Sequence, residues 1–275
     1  MDEPRITTRE IRAWKGTKKI VVLTCYDFPT ARILDRCGVD ILLVGDSLGN
    51  VVLGYESTIP VGLDEMIHHA KAVMRAHPRA FVVVDMPFGT FQVSVEKTME
   101  AAIRVIKETG ADAVKIEGGD RNRDAIVAMT AAGIPVMGHL GLTPQSVLQM
   151  GGYHVQGRGG AGDRLVEEAE GLAGAGCFAL VLESVPAALA GRITAAVPIP
   201  TIGIGAGPAC DGQVLVLHDM LGLYEEFRPR FVKRFAEIGK AIETAARAYK
   251  REVEGGSFPG PEHSFGDGKK AGPKA

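Results

Sequence analysis

The stretch Ala113-Val114-Lys115-Ile116-Glu117-Gly118-Gly119 places two opposite charges inside an apolar run that ends in paired glycines. In a β-strand, residues i and i+2 lie on one face, so Lys115 and Glu117 would point to the same side. Burying either charge alone is costly. The stretch therefore predicts a buried strand whose charged pair meets a metal ion, an anionic ligand or facing side chains. A structural ion pair within the core is the plain alternative.

The same pattern of an apolar strand followed by a helix recurs along the chain. The predicted strands span residues 19–24, 41–45, 81–84, 114–117, 135–139, 178–183, 200–203 and 214–217. Most are continuous apolar runs, which is typical of parallel strands covered on both faces. The sequence therefore predicts an α/β fold, a (β/α)8 TIM barrel with a short N-terminal helix at 7–15 and a long C-terminal helix at 230–253. A doubly wound open sheet is the alternative, but its glycine motif is missing after the first strand.

Length and composition fit one soluble enzyme domain. The chain has 275 residues, and such barrels take about 250, so we expect a single catalytic domain at 1–265 and a flexible Gly- and Lys-rich tail at 266–275. A net charge of −2 argues against nucleic-acid binding. The sequence has neither a long apolar run nor a signal peptide at its start, which predicts a cytoplasmic protein without a membrane span. The four cysteines follow no metal-ligand spacing.

Three acidic residues end neighbouring predicted strands: Asp46 the second, Asp85 the third and Glu117 the fourth. Barrel enzymes build their active sites at these strand ends, and adjacent strands lie about 5 Å apart. Carboxylates that close repel one another unless a cation lies between them. Oxygen ligands favour Mg²⁺ or a similar cation. Each aspartate alone could instead cap the helix that follows it.

Three further polar residues occupy strand ends or the strand interior. Glu183 follows apolar residues and is a candidate general base, with a structural salt bridge as an equal alternative. His139 could hydrogen-bond a substrate oxygen or satisfy a polar group in the core. Lys115 could bring positive charge to a carboxylate or to a developing enolate.

Six motifs together resemble the ketopantoate hydroxymethyltransferase family, over residues 5–265. They are 44–49 (VGDSLG), 114–119 (VKIEGG), 138–146 (GHLGLTPQS), 181–183 (VLE), 203–207 (GIGAG) and 258–265 (FPGPEHSF). One departure is Asn50, where the family usually has an apolar residue.

The resemblance implies a cytoplasmic, Mg²⁺-dependent barrel enzyme with one ion per subunit. It would transfer a hydroxymethyl group from 5,10-methylenetetrahydrofolate to 3-methyl-2-oxobutanoate, giving 2-dehydropantoate on the route to pantothenate and coenzyme A. Family members form homo-oligomers, typically decamers. Metal binding is implied for Asp46, Asp85 and Glu117, and the proton acceptor role for Glu183. Binding of the 2-oxoacid is implied for Asp46, Ser47, Asp85 and Lys115, with His139 as a further candidate.

Two alternative functions remain open at the sequence level. One is a Mg²⁺-dependent 2-oxoacid lyase or mutase of the phosphoenolpyruvate mutase and isocitrate lyase type, although the cysteine-bearing loop common in such enzymes is not found. The other is a non-catalytic 2-oxoacid sensor. Tyr153 and Arg158 are candidate folate contacts. The apolar face of the last helix predicts packing on the barrel, with part of it meeting another subunit.

Overall fold

The computed structural model describes residues 4–224, 226 and 228–265, so the predicted tail at 266–275 lies outside the described residues. Within them, eight parallel strands form a closed barrel in chain order, and the last strand pairs with the first. The strands are β1 (Ile20–Thr24), β2 (Ile41–Val44), β3 (Phe81–Asp85), β4 (Ala113–Glu117), β5 (Val136–Gly141), β6 (Ala179–Glu183), β7 (Thr201–Ile204) and β8 (Gly212–Leu215). The predicted (β/α)8 barrel is therefore confirmed.

Helices surround the strands, and their ends follow local sequence signals. They are α1 (Thr8–Ala13), α2 (Phe28–Arg36), α3 (Leu48–Val51), α4 (Leu63–Met74), α5 (Val95–Thr109), α6 (Arg123–Ala131), α7 (Val147–Met150), α8 (Ala161–Gly174), α9 (Ala187–Ala196), α10 (Leu217–Leu221) and α11 (Ile238–Glu254). Asp27 caps α2 and Ser94 caps α5, each accepting a backbone N–H of the first turn. None of the described helices combines the length and apolarity that a membrane span requires.

Alternation along the strands divides the core into two layers. Val114 and Ile116 of β4 face the surrounding helices, in the larger apolar cluster. Ala113 belongs to the cluster inside the barrel, so Lys115 and Glu117, at even spacing from it, point inward as predicted.

The N-terminal helix closes the bottom of the barrel. Thr7 and Glu10 form a capping box at its start, and Ile6 and Ile11 are buried in the inner cluster. The opposite end of the barrel, where the strands finish, is left open for a site.

Two predictions about the C-terminal part of the chain were wrong. The eighth strand ends at Leu215 rather than Leu217, because the following residues turn into the short helix α10. The last helix begins at Ile238 rather than residue 230, since Pro229 and the residues after it follow a non-helical path.

The last helix also does not pack on its own barrel. None of its residues is buried, and Ile242 and Tyr249 are 55% and 60% exposed. The predicted packing on the barrel is therefore wrong for the helix itself, although Phe231 and Val232, which the prediction placed on the same face, do pack there. Its apolar side chains need another surface to cover them.

Candidate active site

The C-terminal ends of the strands surround a cavity of about 560 Å³. All the residues predicted for the site contribute to its wall: Asp46, Ser47, Asp85, Lys115, Glu117, His139 and Glu183. The register explains this, since Asp85 pairs with Lys115, Glu117 with His139 and Gly141 with Glu183 on successive strands. The closed barrel therefore brings together residues that are far apart in the sequence.

The three carboxylates on β2–β4 are almost fully buried. Asp46, Asp85 and Glu117 are 4%, 3% and 2% exposed, and the backbone N–H of Asp46 donates to Asp85 Oδ2 at 3.1 Å. Burial raises the pKa of Asp46 well above its usual range, and the negative charges of Asp85 and Glu117 raise it further. A cation beside Asp46 would relieve both effects.

Lys115 is the buried cation beside these carboxylates. Its Nζ lies 2.8 Å from Asp85 Oδ1 and 3.3 Å from His139 Nδ1. Burial alone would lower the pKa of Lys115, but the nearby carboxylates outweigh it and raise that pKa, so the ammonium stays charged. The sequence left a metal ion, an anionic ligand or facing side chains open as partners of Lys115 and Glu117. Facing side chains are present, namely Asp85 from β3 and His139 from β5.

His139 connects the carboxylates of β4 and β6. Its Nδ1 lies 3.5 Å from Glu117 Oε1, and its Nε2 lies 3.3 Å from Glu183 Oε2. Burial and Lys115 oppose protonation, yet the interactions with Glu117 and Glu183 raise the pKa of His139 to about 9. An imidazolium at this position would hold the Glu183 carboxylate in a fixed direction.

The backbone after β6 turns sharply behind Glu183. Ser184 has a φ of 49°, a left-handed conformation that is unfavourable for a residue with a side chain. Its N–H donates to the Ile204 carbonyl and its carbonyl accepts from Gln156. These bonds fix the strand end from which Glu183 projects.

Gln145 was missed as a functional residue, although it lies inside one of the quoted motifs. Its side chain donates to Asp46 Oδ2 at 2.8 Å and to the Met86 carbonyl at 3.0 Å. Its backbone N–H donates to Glu117 Oε2 at 3.0 Å. Gln145 thus orients two of the three carboxylates at once, which no local sequence pattern reveals.

Tyr26 is a second residue that sequence reasoning missed. Its hydroxyl is 2.8 Å from Ser47 Oγ, and the side chain is buried behind Ser47. The predicted substrate-binding serine is therefore held by a tyrosine that follows β1.

The carboxylate wall fits a hard divalent cation. No group of three or more His, Cys, Asp and Glu residues in the described part of the chain is arranged so that it could hold a metal ion. Mg²⁺ does not need one, because it usually keeps several waters and binds one or two carboxylates plus substrate oxygens. Asp46 and Asp85, joined by a hydrogen bond and both destabilised in ionised form by burial, suit that mode.

The opposite wall of the cavity, from β6 to β8, is mainly apolar and aromatic. It includes Ile204, Val216, Tyr224 and Phe231, and Tyr153 reaches it from the loop after β5. The candidate folate contact Tyr153 therefore lines the cavity, whereas Arg158 is not part of its described wall.

The glycine-rich turn after β7 serves close packing. A Cβ on Gly205, whose φ is 61°, would lie 2.7 Å from Phe231 Cδ1. A Cβ on Gly207 would lie 2.5 Å from the Ala187 Cβ. These contacts show that the glycines allow close packing in a tight turn.

Comparison with known sequences assigns the family. Residues 5–261 match the family described as ketopantoate hydroxymethyltransferase. The chain belongs to the ketopantoate hydroxymethyltransferase family. A 3-methyl-2-oxobutanoate hydroxymethyltransferase of Moorella thermoacetica is 57% identical over 95% of this chain and 98% of the relative. One of Syntrophobacter fumaroxidans is 55% identical over 95% and 93%. The predicted enzyme class, a hydroxymethyltransferase, is confirmed.

Solved structures of similar fold come from other enzymes. A phosphoenolpyruvate phosphomutase from Streptomyces platensis subsp. rosaceus has a TM-score of 0.61 at 15% identity, covering 94% of this chain and 93% of its own. A phosphonopyruvate hydrolase, solved with oxalate and Mg²⁺, has a TM-score of 0.61 at 11% identity, with the same coverage. At such identities the likeness concerns the barrel alone. The ketopantoate hydroxymethyltransferase family therefore shares its fold with these enzymes.

Proposed function

We propose that this member of the family transfers a hydroxymethyl group from 5,10-methylenetetrahydrofolate to 3-methyl-2-oxobutanoate, using one Mg²⁺ per subunit and giving 2-dehydropantoate. The observation that carries the proposal is one cavity with three buried carboxylates, a buried lysine, and His139 facing Glu183. The relatives carry the same enzyme name. The cytoplasmic location of the protein remains a prediction from the sequence.

The carboxylate wall would bind the metal and orient the ketoacid. Asp46 and Asp85 would hold Mg²⁺, and Glu117, the third predicted ligand, would add its negative charge to the same wall. When bound, the ion would supply Lewis-acid polarisation of the keto group, which makes the neighbouring C–H more acidic. Lys115, fixed by Asp85 at 2.8 Å, would balance negative charge that develops on the ketoacid oxygens.

Glu183 would remove the proton from the carbon next to the keto group. It projects into the cavity from β6, and its carboxylate is held by His139 on the side away from β7. The resulting enolate carbon would form a bond to the folate methylene carbon. Both carbon–nitrogen bonds of the folate methylene would break as water adds to that carbon, and the two protons of water would go to the two nitrogens of tetrahydrofolate. The oxygen from water would stay on the transferred carbon and would take the proton held by Glu183, which completes the hydroxymethyl group.

Replacement of Glu183 by glutamine tests this assignment. Glu183→Gln should keep 3-methyl-2-oxobutanoate binding, because the amide has nearly the same shape. It should slow exchange of the substrate C–H with solvent deuterium by on the order of a hundredfold or more, because the base is lost. Proton NMR in D₂O measures the exchange, and calorimetry measures binding.

Glu170, exposed on α8, provides a matched control, and Glu170→Gln should exchange at the wild-type rate. Unchanged exchange in Glu183→Gln would remove that residue from the role of base. Full activity after chelation of metal would contradict the Mg²⁺ requirement. Turnover of the ketoacid without folate would favour the lyase alternative, and binding without turnover would favour the sensor.

We also infer a homo-oligomer, a decamer by resemblance. Helix α11 has no buried residue, although Ile242, Tyr249 and Val253 give it an apolar side. An amphipathic helix that its own barrel does not cover supports contact with another copy of the chain.

A further inference from the structure

A further acidic residue, Asp219, lies on the cavity wall opposite the carboxylates proposed to bind the metal. Asp219 lies in α10, directly after β8, and lines the same cavity. In a closed barrel of eight strands in chain order, β8 lies across from β4. Asp219 and Glu117 therefore approach the cavity from opposite sides.

The position of Asp219 is fixed by the end of β1. The buried Thr24 hydroxyl accepts the backbone N–H of Leu217 at 3.0 Å, at the start of α10. The ring of the next residue, His218, lies 5.5 Å from the Tyr26 ring, centroid to centroid. The short helix is thus anchored against β1, with Asp219 over the cavity.

Asp219 has no partner among the described residues. None of them donates a hydrogen bond to its carboxylate or forms an ion pair with it within 4 Å. Arg234, whose charge opposes the rise in the pKa of Asp219, donates instead to the Tyr224 carbonyl at 3.2 Å and to Glu237 at 3.3 Å. Partial burial raises the pKa of Asp219 to about 6, as expected for a carboxylate short of donors.

The ketoacid substrate cannot be the partner of this carboxylate. It is itself an anion, and the buried cation available to hold it, Lys115, lies on the other wall, whereas Arg230 on the near wall is exposed. It is also small relative to the cavity of about 560 Å³, a volume typical of pockets for drug-sized ligands. A ligand that is larger than the ketoacid and carries hydrogen-bond donors would fit both the cavity volume and the Asp219 carboxylate.

Flat aromatic side chains line the same cavity as Asp219. Tyr224, Phe231 and Tyr153 all contribute to the cavity wall, and the Gly205 turn packs on Phe231. Such surfaces suit a planar heteroaromatic ring. A tetrahydropterin has a largely planar aminopyrimidinone ring whose edge carries an amino group and a ring N–H, and the two oxygens of one carboxylate can accept from both donors.

We propose that Asp219 anchors the pterin ring of the folate co-substrate by accepting hydrogen bonds from its 2-amino group and N3–H. The inference rests on the proposed function, because it assigns a place to the folate donor. The pterin would lie on the β7–β8 side of the cavity, facing a ketoacid held on the β2–β4 side, with the transferred carbon between them.

Asp219→Asn and Asp219→Glu test the proposal, with Asp124→Asn, an exposed change on α6, as the control. Asparagine keeps one acceptor oxygen but presents an N–H₂ group to the donors. The KM for 5,10-methylenetetrahydrofolate and the Kd for tetrahydrofolate should rise about tenfold to a hundredfold. Asp219→Glu should recover part of the loss.

Deuterium exchange of the ketoacid without folate should stay within about twofold of wild type in every variant, since Asp219 does not contact the ketoacid. A parallel loss of exchange would show general damage to the site and overturn the assignment. An unchanged KM and Kd in Asp219→Asn would also overturn it.

A modified ligand tests the wild-type protein directly and needs no variant. A tetrahydrofolate with a 2-methyl group in place of the 2-amino group should bind about tenfold or more weakly to wild type, and Asp219→Asn should lose this preference. Equal binding of both ligands to wild type would refute the anchor even if the enzyme transfers the one-carbon unit. Wild-type enzyme without any folate-dependent turnover would refute the proposed function itself, and the inference with it.

Discussion

Replacing Gln145 by leucine should weaken metal binding without a change in any proposed ligand. The Gln145 side chain donates to Asp46 Oδ2 and to the Met86 carbonyl, and it is buried. Leucine keeps a similar volume and keeps the backbone N–H that donates to Glu117. The substitution therefore removes the two hydrogen bonds that the side chain donates and one long hydrogen bond that it accepts from Gln92 at 3.4 Å.

The expected size follows from the partners of those bonds. A hydrogen bond to a carboxylate contributes about 1.5–3 kcal/mol and one to a carbonyl about 1 kcal/mol, so the metal-free protein should lose about 2–4 kcal/mol of stability. Groups that orient metal ligands typically change metal affinity about tenfold to a hundredfold. The Kd for Mg²⁺ should rise by that factor, because Asp46 is no longer held towards Asp85.

Isothermal titration with Mg²⁺ measures the affinity, and urea unfolding measures the stability. Gln92→Leu is a matched control, since the exposed Gln92 amide touches Gln145 Oε1 at 3.4 Å from outside the carboxylate cluster. The control should change the Kd by less than about twofold. An unchanged Mg²⁺ Kd in Gln145→Leu would refute the idea that this amide sets the carboxylate geometry.

Two further predictions concern the ends of the molecule. Asp211 accepts hydrogen bonds from Lys15, Gly16 and Thr201 at the bottom of the barrel, so Asp211→Ala should cost about 3 kcal/mol in urea unfolding. Burial alone would raise the pKa of Asp211, but these donors lower it. The Asp211 carboxylate therefore stabilises the fold fully above pH about 4, and this stabilisation is lost as the pH falls through the lowered pKa. The difference in unfolding free energy between wild type and Asp211→Ala should become smaller over that pH range. A constant gap down to pH 2 would contradict this. On the apolar side of the last helix, Ile242→Glu should yield a smaller species by light scattering with unchanged circular dichroism, and a monomeric wild type would contradict the inferred oligomer.

The barrel and most of its site were predictable because both follow from short-range rules. Apolar runs separated by helices define parallel strands, and alternation decides which side chains point inward. Once Asp46, Asp85 and Glu117 fall at the ends of neighbouring strands, the closed fold leaves them only one place to meet. The inward direction of the Lys115 side chain follows from the same rule, because Lys115 and Glu117 lie on one face of β4.

The residues that sequence reasoning missed depend on contacts between distant loops. Gln145 reaches Asp46 across 99 positions of the chain, and Tyr26 reaches Ser47 from a different strand end. Asp219 follows the last strand, where the sequence predicted two more strand residues instead of a helix. The start of α11 was misplaced because its apolar periodicity continues backward through Phe231 and Phe235, whereas Phe231 packs on the Gly205 turn.

The balance of buried charge explains why the two walls of the cavity differ. Among the described residues at the strand ends from β2 to β6, four carboxylates face two basic groups, Lys115 and the His139 imidazole, whose pKa is raised to about 9. If all of these groups are charged, two negative charges remain, which one divalent cation would neutralise. The ketoacid then brings one further negative charge to a site that is otherwise neutral, and it lies beside Lys115. An additional carboxylate on this side of the cavity would be repelled. A carboxylate that binds the folate therefore has to lie on another side. Asp219, across the barrel on the β8 side, meets that requirement.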